Sequence, residues 1–180
     1  MCSSDLYDRL GERDKAIYRA SDRVTEVRLS RPEELRPLVD PIRAALLADD
    51  RAALEAASSA LCRALTTMLG VTAPDVGVLA VRPSLRDAEL HGLYTRDDRR
   101  RPRIRVWMRT VRHRRVVAFR TFLRTLLHEI GHHLDYEHLR LADSFHTEGF
   151  FKRESSLFYQ LVPREGPPRE GTTGWPRGGT

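Results

Sequence analysis

A chain of 180 residues, 41% hydrophobic and 31% charged, is long enough to close a core of its own and ordinary for a soluble domain. No apolar run approaches the roughly 18 residues a membrane span needs, and the mixed-charge opening MCSSDLYDRLGERDK is no signal peptide. Cys2 and Cys62 are too few for a disulfide framework or a four-cysteine zinc site, so the chain reads as intracellular, cytoplasmic, with reduced thiols.

In chain order, residues 1–30 form a segment without a clean period, partly ordered, with a short helix or strand expected near Val24–Leu29. Asp40 followed by Pro41 reads as an N-cap and first-turn pair opening a helix. Asp49 or Asp50 caps a second helix that runs to Leu69 and is closed by Gly70. Its apolar positions Leu54, Ala57, Leu61, Leu65 and Met68 recur at helical spacing, which core packing suffices to explain.

After Gly70 the texture becomes that of strands. Val76–Val81 is a short apolar run, and Glu89–Thr95 is a mixed one. In Arg103–Arg109, Ile104, Val106 and Met108 alternate with Arg103, Arg105, Trp107 and Arg109, the period of a half-buried strand. The polar loop between the last two runs predicts an antiparallel hairpin. A helix from about Val117 to at least Tyr136 and another from Thr147 to before Pro163 complete a domain over residues 31–162. The expected class is α+β, a small and mostly antiparallel sheet packed on the first of these helices, with helices preceding it. The Pro- and Gly-rich tail 163–180 is expected to be disordered.

The net charge of +6 comes from 29 Arg and 2 Lys, a ratio that codon composition alone can produce. The placement says more: ten of the twenty residues from Arg96 to Arg115 are Arg. Arg99, Arg100, Arg101, Arg103 and Arg105 are therefore candidate contacts for nucleic acid or an acidic partner, against the plainer reading of a solvated hairpin.

Five of the seven histidines fall within LLHEIGHHLDYEHLRLADSFHTEGFF, residues 126–151. His128-Glu129-Ile130-Gly131-His132 is an H-E-x-x-H sequence. On a helix, positions i and i+4 project two imidazoles from one face, close enough to share an ion. At about 100° per residue, Phe119, Leu123, Leu126, Leu127, Ile130 and Leu134 fall on the opposite side. One face is built for burial and the other carries the imidazoles, with Glu129 one residue round, beside a metal-bound water.

A catalytic zinc takes three protein ligands and a water. His138 has metzincin spacing, but Asp135 stands where that pattern turns on Gly, and without the turn His138 lies about 9 Å along the axis and points away. Glu148 or Glu154 on the next helix is a second option. His146, just before an N-cap at Thr147, is the third.

At this point the sequence resembles a family. TLLHEIGHH followed by HTEGFF is similar to the core of the SprT-like (Spartan-type) zinc metalloproteases, in which an H-E-x-x-H helix is followed by a third His opening the next helix. The likeness covers roughly residues 70–162. It departs in placing Gly149 two residues further from the third His, and no four-cysteine ribbon follows. The resemblance implies a zincin-like fold, Zn²⁺ held by His128, His132 and His146, Glu129 as general base, and hydrolysis of a protein or peptide substrate. From its place one turn beyond His132, Asp135 could orient a ligand imidazole or equally be a solvated helix residue, and Tyr94, Tyr136 and Tyr159 are candidate oxyanion donors among which the sequence does not choose. His133 points away from the ligand direction and reads as structural. A substrate could pair with the edge of the Arg103–Arg109 strand. Two rivals are a nucleic-acid-associated protein whose zinc is structural or idle, and a peptidase-fold partner module. Neither oligomeric state nor cleavage preference is written in the sequence.

Overall fold

The structure, a computed structural model, describes residues 7–83, 91–97 and 99–163. The expected tail, apart from Pro163, and Glu89 and Leu90 of the second expected strand lie outside these residues. The elements are α1 (Glu12–Arg23), α2 (Pro32–Leu35) continued by a 3₁₀ turn (Arg36–Leu38), α3 (Val39–Leu47), α4 (Arg51–Met68), β1 (Asp75–Val81), β2 (Gly92–Asp97), β3 (Arg100–Arg109), α5 (Phe119–Glu137) and α6 (Glu148–Leu161). Among them no helix is long and apolar enough to cross a membrane.

The class is α+β as expected, but the sheet is mixed. Its order is β1-β3-β2, with β1 parallel and β2 antiparallel to β3. β3 is therefore the central strand, and its edges are both taken. Ile104, Val106 and Met108 on one face of β3 are fully buried, whereas Arg103 and Arg105 on the other are exposed. Trp107 departs from the expected polar face, being only 6% exposed. The buried face packs against α5, whose Leu123, Leu126, Leu127 and Ile130 are sealed from solvent.

The first helices differ from expectation at their starts. Asp40 does not cap α3; the helix opens at Val39, with Asp40 and Pro41 inside its first turn. The 3₁₀ turn delivers Leu38 already near helical dihedrals, so no capping side chain is needed, and a first-turn proline sacrifices no intrahelical hydrogen bond. Asp50 does cap α4, accepting from Ala53 N–H at 3.0 Å. Gly70 follows with φ +70°, the left-handed turn that ends the helix.

Val24–Leu29 forms neither helix nor strand. Its extended backbone is held by two side chains of the last helix: Gln160 accepts from Leu29 N–H at 2.9 Å and donates to Val27 O at 2.8 Å, and Arg153 donates to Val24 O at 2.6 Å. Val27 and Leu29 thereby reach the core.

Cys62 is wholly buried in α4, and desolvation pushes its thiol up to about 12, with Arg63 pulling the other way. The unfolded value is about 8.5. Because the folded value is the higher, this group's contribution to stability is intact below about pH 8.5 and erodes as pH rises towards 12. In a Cys2→Ser background at pH 8, a thiol reagent is expected to label denatured but not native protein. Rapid native labelling would contradict the burial of Cys62.

Candidate metal centre

His128 and His132 stand one turn apart on α5, and His146 lies in the loop immediately before Thr147, which caps α6 by accepting from Phe150 N–H at 3.0 Å. That cap fixes where the chain enters α6. His146 Nε2 lies 3.0 Å from both His128 Nε2 and His132 Nε2. All three ring pairs have centroids 4.9 Å apart. These residues form a group of side chains that can hold a metal ion. His128 and His132 are half-buried, while His146 is exposed on the solvent side.

The partners of the outer ring nitrogens fit a cation at the centre. His128 Nδ1 is 3.1 Å from Glu154 Oε2, a carboxylate that accepts, so Nδ1 carries a proton and, in the neutral ring, Nε2 is the nitrogen that offers its lone pair to the centre. Glu154 is itself paired with Arg124 at 3.2 Å. His132 Nδ1 is 2.7 Å from Ser144 Oγ, which donates to Asp135 Oδ2 at 2.8 Å. The serine proton is committed to the carboxylate, so His132 Nδ1 donates to the serine and its Nε2 lone pair also faces inward. Burial and the neighbouring imidazoles push His132 down to about 3, which keeps that nitrogen free of a proton. Burial lowers His146 as well. Tetrahedral zinc with Zn–N distances of about 2.0–2.1 Å spaces its nitrogens about 3.3 Å apart, close to the spacing present here. A neutral imidazole trio is a borderline-soft donor set, suited to zinc among several divalent metals.

Phe150 lies under the cluster, its ring centroid 4.7 Å from that of His132 and 4.9 Å from that of His128. Gly131 makes room for it: a Cβ there would already stand 3.2 Å from the Phe150 ring.

Glu129 is 5% exposed. Burial pushes its carboxyl up to about 7, against the pull of His128 and a backbone hydrogen bond from Tyr94 on β2. Directly opposite is Gly92, where a Cβ would come within 2.6 Å of Glu129 Cγ. β2 can approach the carboxylate only because that position has no side chain. Two cavities meet at Gly92, His128 and Glu129. One of about 290 Å³ extends past Tyr94 and Tyr136 to the cluster, and one of about 440 Å³ extends past His91 to Thr121, Arg124 and Thr125.

The other candidates separate clearly. His138 is exposed at the end of α5, outside the cluster. Glu148 is exposed and paired with Lys152 at 2.6 Å. Glu154 touches the cluster from behind, through His128 Nδ1. Asp135 is fully buried and reaches His132 through Ser144. Burial raises its carboxyl, while Arg153 and Ser144 pull it down; with Arg153 at 2.7 Å it serves as an acceptor. His133 donates to Thr72 O at 2.7 Å and accepts from the Tyr94 hydroxyl at 3.2 Å, which commits that hydroxyl away from the cleft. The Tyr136 hydroxyl donates to Asp143 at 3.0 Å, and Tyr159 packs on Phe158. Arg99, Arg100, Arg101, Arg103 and Arg105 are exposed, and Arg101 lies 3.5 Å from Asp75.

Sequence reasoning did not find Ser144, Gly92 or Arg153. Ser144 had a faint signal, a hydroxyl two residues before His146; the other two had none short of the tertiary contacts. Comparison with protein-family models, with curated proteins and with solved structures finds no match to this chain.

Proposed function

We propose that this chain is a zinc-dependent, zincin-like peptidase of SprT-like type, acting in the cytoplasm, with its catalytic domain over residues 31–162. The observation that carries the reading is the convergence of three Nε2 atoms, 3.0 Å from His146 to each partner, beside a buried carboxylate one residue from His128. His128, His132 and His146 would hold the metal, and zinc there would supply Lewis acidity for carbonyl and water alike. Glu129 takes the proton of the attacking water on a carboxylate oxygen and returns it to the leaving amine nitrogen. The Tyr94 backbone hydrogen bond holds that carboxylate in place meanwhile.

The sheet's two edges support a peptide as substrate. At Val78 on β1 the edge is stoppered by α4, with Glu55 accepting from the N–H at 2.8 Å and Arg51 donating to the carbonyl at 3.0 Å. The β2 edge runs along the cleft past Gly92 and Tyr94. An extended peptide would add to β2, not to β3 as the sequence suggested, because β3 is central.

The test is a digest of a peptide library by the zinc-loaded protein, with zinc quantified in the same sample. Cleavage is expected. One equivalent of zinc with every peptide intact would defeat the peptidase reading and leave a metal-binding partner module.

The exposed arginines at 99, 100, 101, 103 and 105 favour one alternative, a nucleic-acid-associated protein with a structural or idle zinc centre. Counterion release then makes log affinity fall linearly with log salt, with a slope of about −0.9 per phosphate neutralised. If all five arginines engaged duplex DNA, the slope would be about −4 to −5. Fluorescence anisotropy against a labelled duplex would read it, and no binding at low salt removes this alternative.

A further inference from the structure

We propose that the end of α1 is an outer wall of the metal centre, and that Arg153 and Ser144 are positioning residues for His132. The inference rests on the three imidazoles being a metal centre and concerns what makes that centre competent.

Arg153 projects from α6 and is 3% exposed, with its guanidinium surrounded by acceptors. One terminal nitrogen donates to Ser21 O and Val24 O, both at 2.6 Å. The other donates to Ser21 Oγ at 3.0 Å and to Asp135 Oδ1 at 2.7 Å. Asp135 passes the constraint on, since its second oxygen accepts from Ser144, which in turn faces His132 Nδ1. A continuous run of hydrogen bonds therefore joins the last turn of α1 to a ligand imidazole. Every member is directional, and the two charged ones are buried, so displacing any of them frees the rest to move.

The same end of α1 is clamped twice more against the strand of chain that carries His146. Ser21 Oγ is 3.3 Å from Thr147 Oγ1, and Asp22 accepts from Gly149 N–H at 2.8 Å. Gly149 has no room for a side chain, because a Cβ there would come within 2.8 Å of the Asp22 carbonyl carbon. Two of the three imidazoles thus depend on where α1 sits, although the ion-holding group itself is His128, His132 and His146. By contrast His128 is oriented by Glu154 and Arg124, which do not involve α1.

Two variants test the two halves of the run, both read by cobalt(II) affinity and its d–d absorption spectrum and not by hydrolysis. Ser144→Ala removes the link to His132 and the hydroxyl donor of Asp135 Oδ2, while Arg153 still donates to Asp135 Oδ1. Its cobalt affinity is expected to fall about 10- to 100-fold, with a changed spectrum and recovery of both in Ser144→Thr, while the apo protein stays folded and melts somewhat lower because buried Asp135 Oδ2 has lost a donor. Gly149→Ala improves helix propensity yet must push α1 away. Its cobalt affinity is expected to fall by a similar factor. Wild-type affinity and spectrum in Ser144→Ala would overturn the positioning role. Wild-type affinity in Gly149→Ala would remove α1 from the centre. A wild-type chain that holds no metal at all would instead overturn the metal-centre reading, and this proposal with it.

Discussion

His146→Ala is expected to lose metal, and His138→Ala is expected to keep it. Both are histidines C-terminal to the H-E-x-x-H pair, and both were candidates from spacing. Only His146 brings a ring nitrogen to 3.0 Å from both partners, while His138 ends α5 in solvent. Zinc bound by a few side chains at neutral pH carries roughly 10–16 kcal/mol in apparent affinity. One ligand of three is then worth about 3–5 kcal/mol, which is roughly 10²- to 10⁴-fold in dissociation constant. That exceeds the effect expected for Ser144→Ala, which leaves all three nitrogens in place. Metal analysis after dialysis against a weak chelator would separate the three variants. Full zinc retention in His146→Ala would mean that another group completes the site.

How far the sequence reached depended on the range of the interaction. α5 and α6 were readable because their apolar residues recur at helical spacing, and that pattern is local. The same holds for the alternation in β3, which distinguished Ile104, Val106 and Met108 from Arg103 and Arg105. Strand partners are another matter. Nothing in VGVLAV says that it lies parallel to a strand some thirty residues on, so the mixed order β1-β3-β2 escaped, and with it which strand borders the cleft. Val24–Leu29 defeated a propensity argument for a similar reason. Its backbone is satisfied by Gln160 and Arg153 from the far end of the chain, and no local pattern encodes that.

The site divides along the same line. Residues 128 and 132 share a face by helix geometry alone, so their proximity could be read without coordinates. His146 needed the likeness to a known pattern, because a loop of such length can end almost anywhere. The groups behind the imidazoles were least accessible. Glu154 was weighed as a ligand and stands instead against His128 Nδ1; Asp135 was weighed as an orienting residue and reaches its imidazole through a serine. Sequence can offer a carboxylate at the right distance along the chain, but which atom of the ring it meets is settled by packing.

Glu129→Gln is expected to keep one equivalent of zinc and to lose hydrolysis. Glutamine preserves the size of the side chain and its hydrogen bond from Tyr94, so neither the fold nor the three imidazoles should change. What disappears is the ability to accept a proton from water, typically worth 10²- to 10⁴-fold in kcat. Gly92→Ala approaches the same carboxylate from the other side. The new Cβ would meet Glu129 Cγ at 2.6 Å, so the acid must move by about 1 Å, a displacement that costs on the order of 10²-fold when it affects a reacting group. The chemistry of the acid is intact in this variant, and only its position is altered. Steady-state kinetics on one cleaved peptide, with zinc measured in each sample, should show kcat falling in both variants and further in Glu129→Gln. If Glu129→Gln were as active as wild type, another group would have to accept the proton, and the approach of β2 to Glu129 would be packing alone.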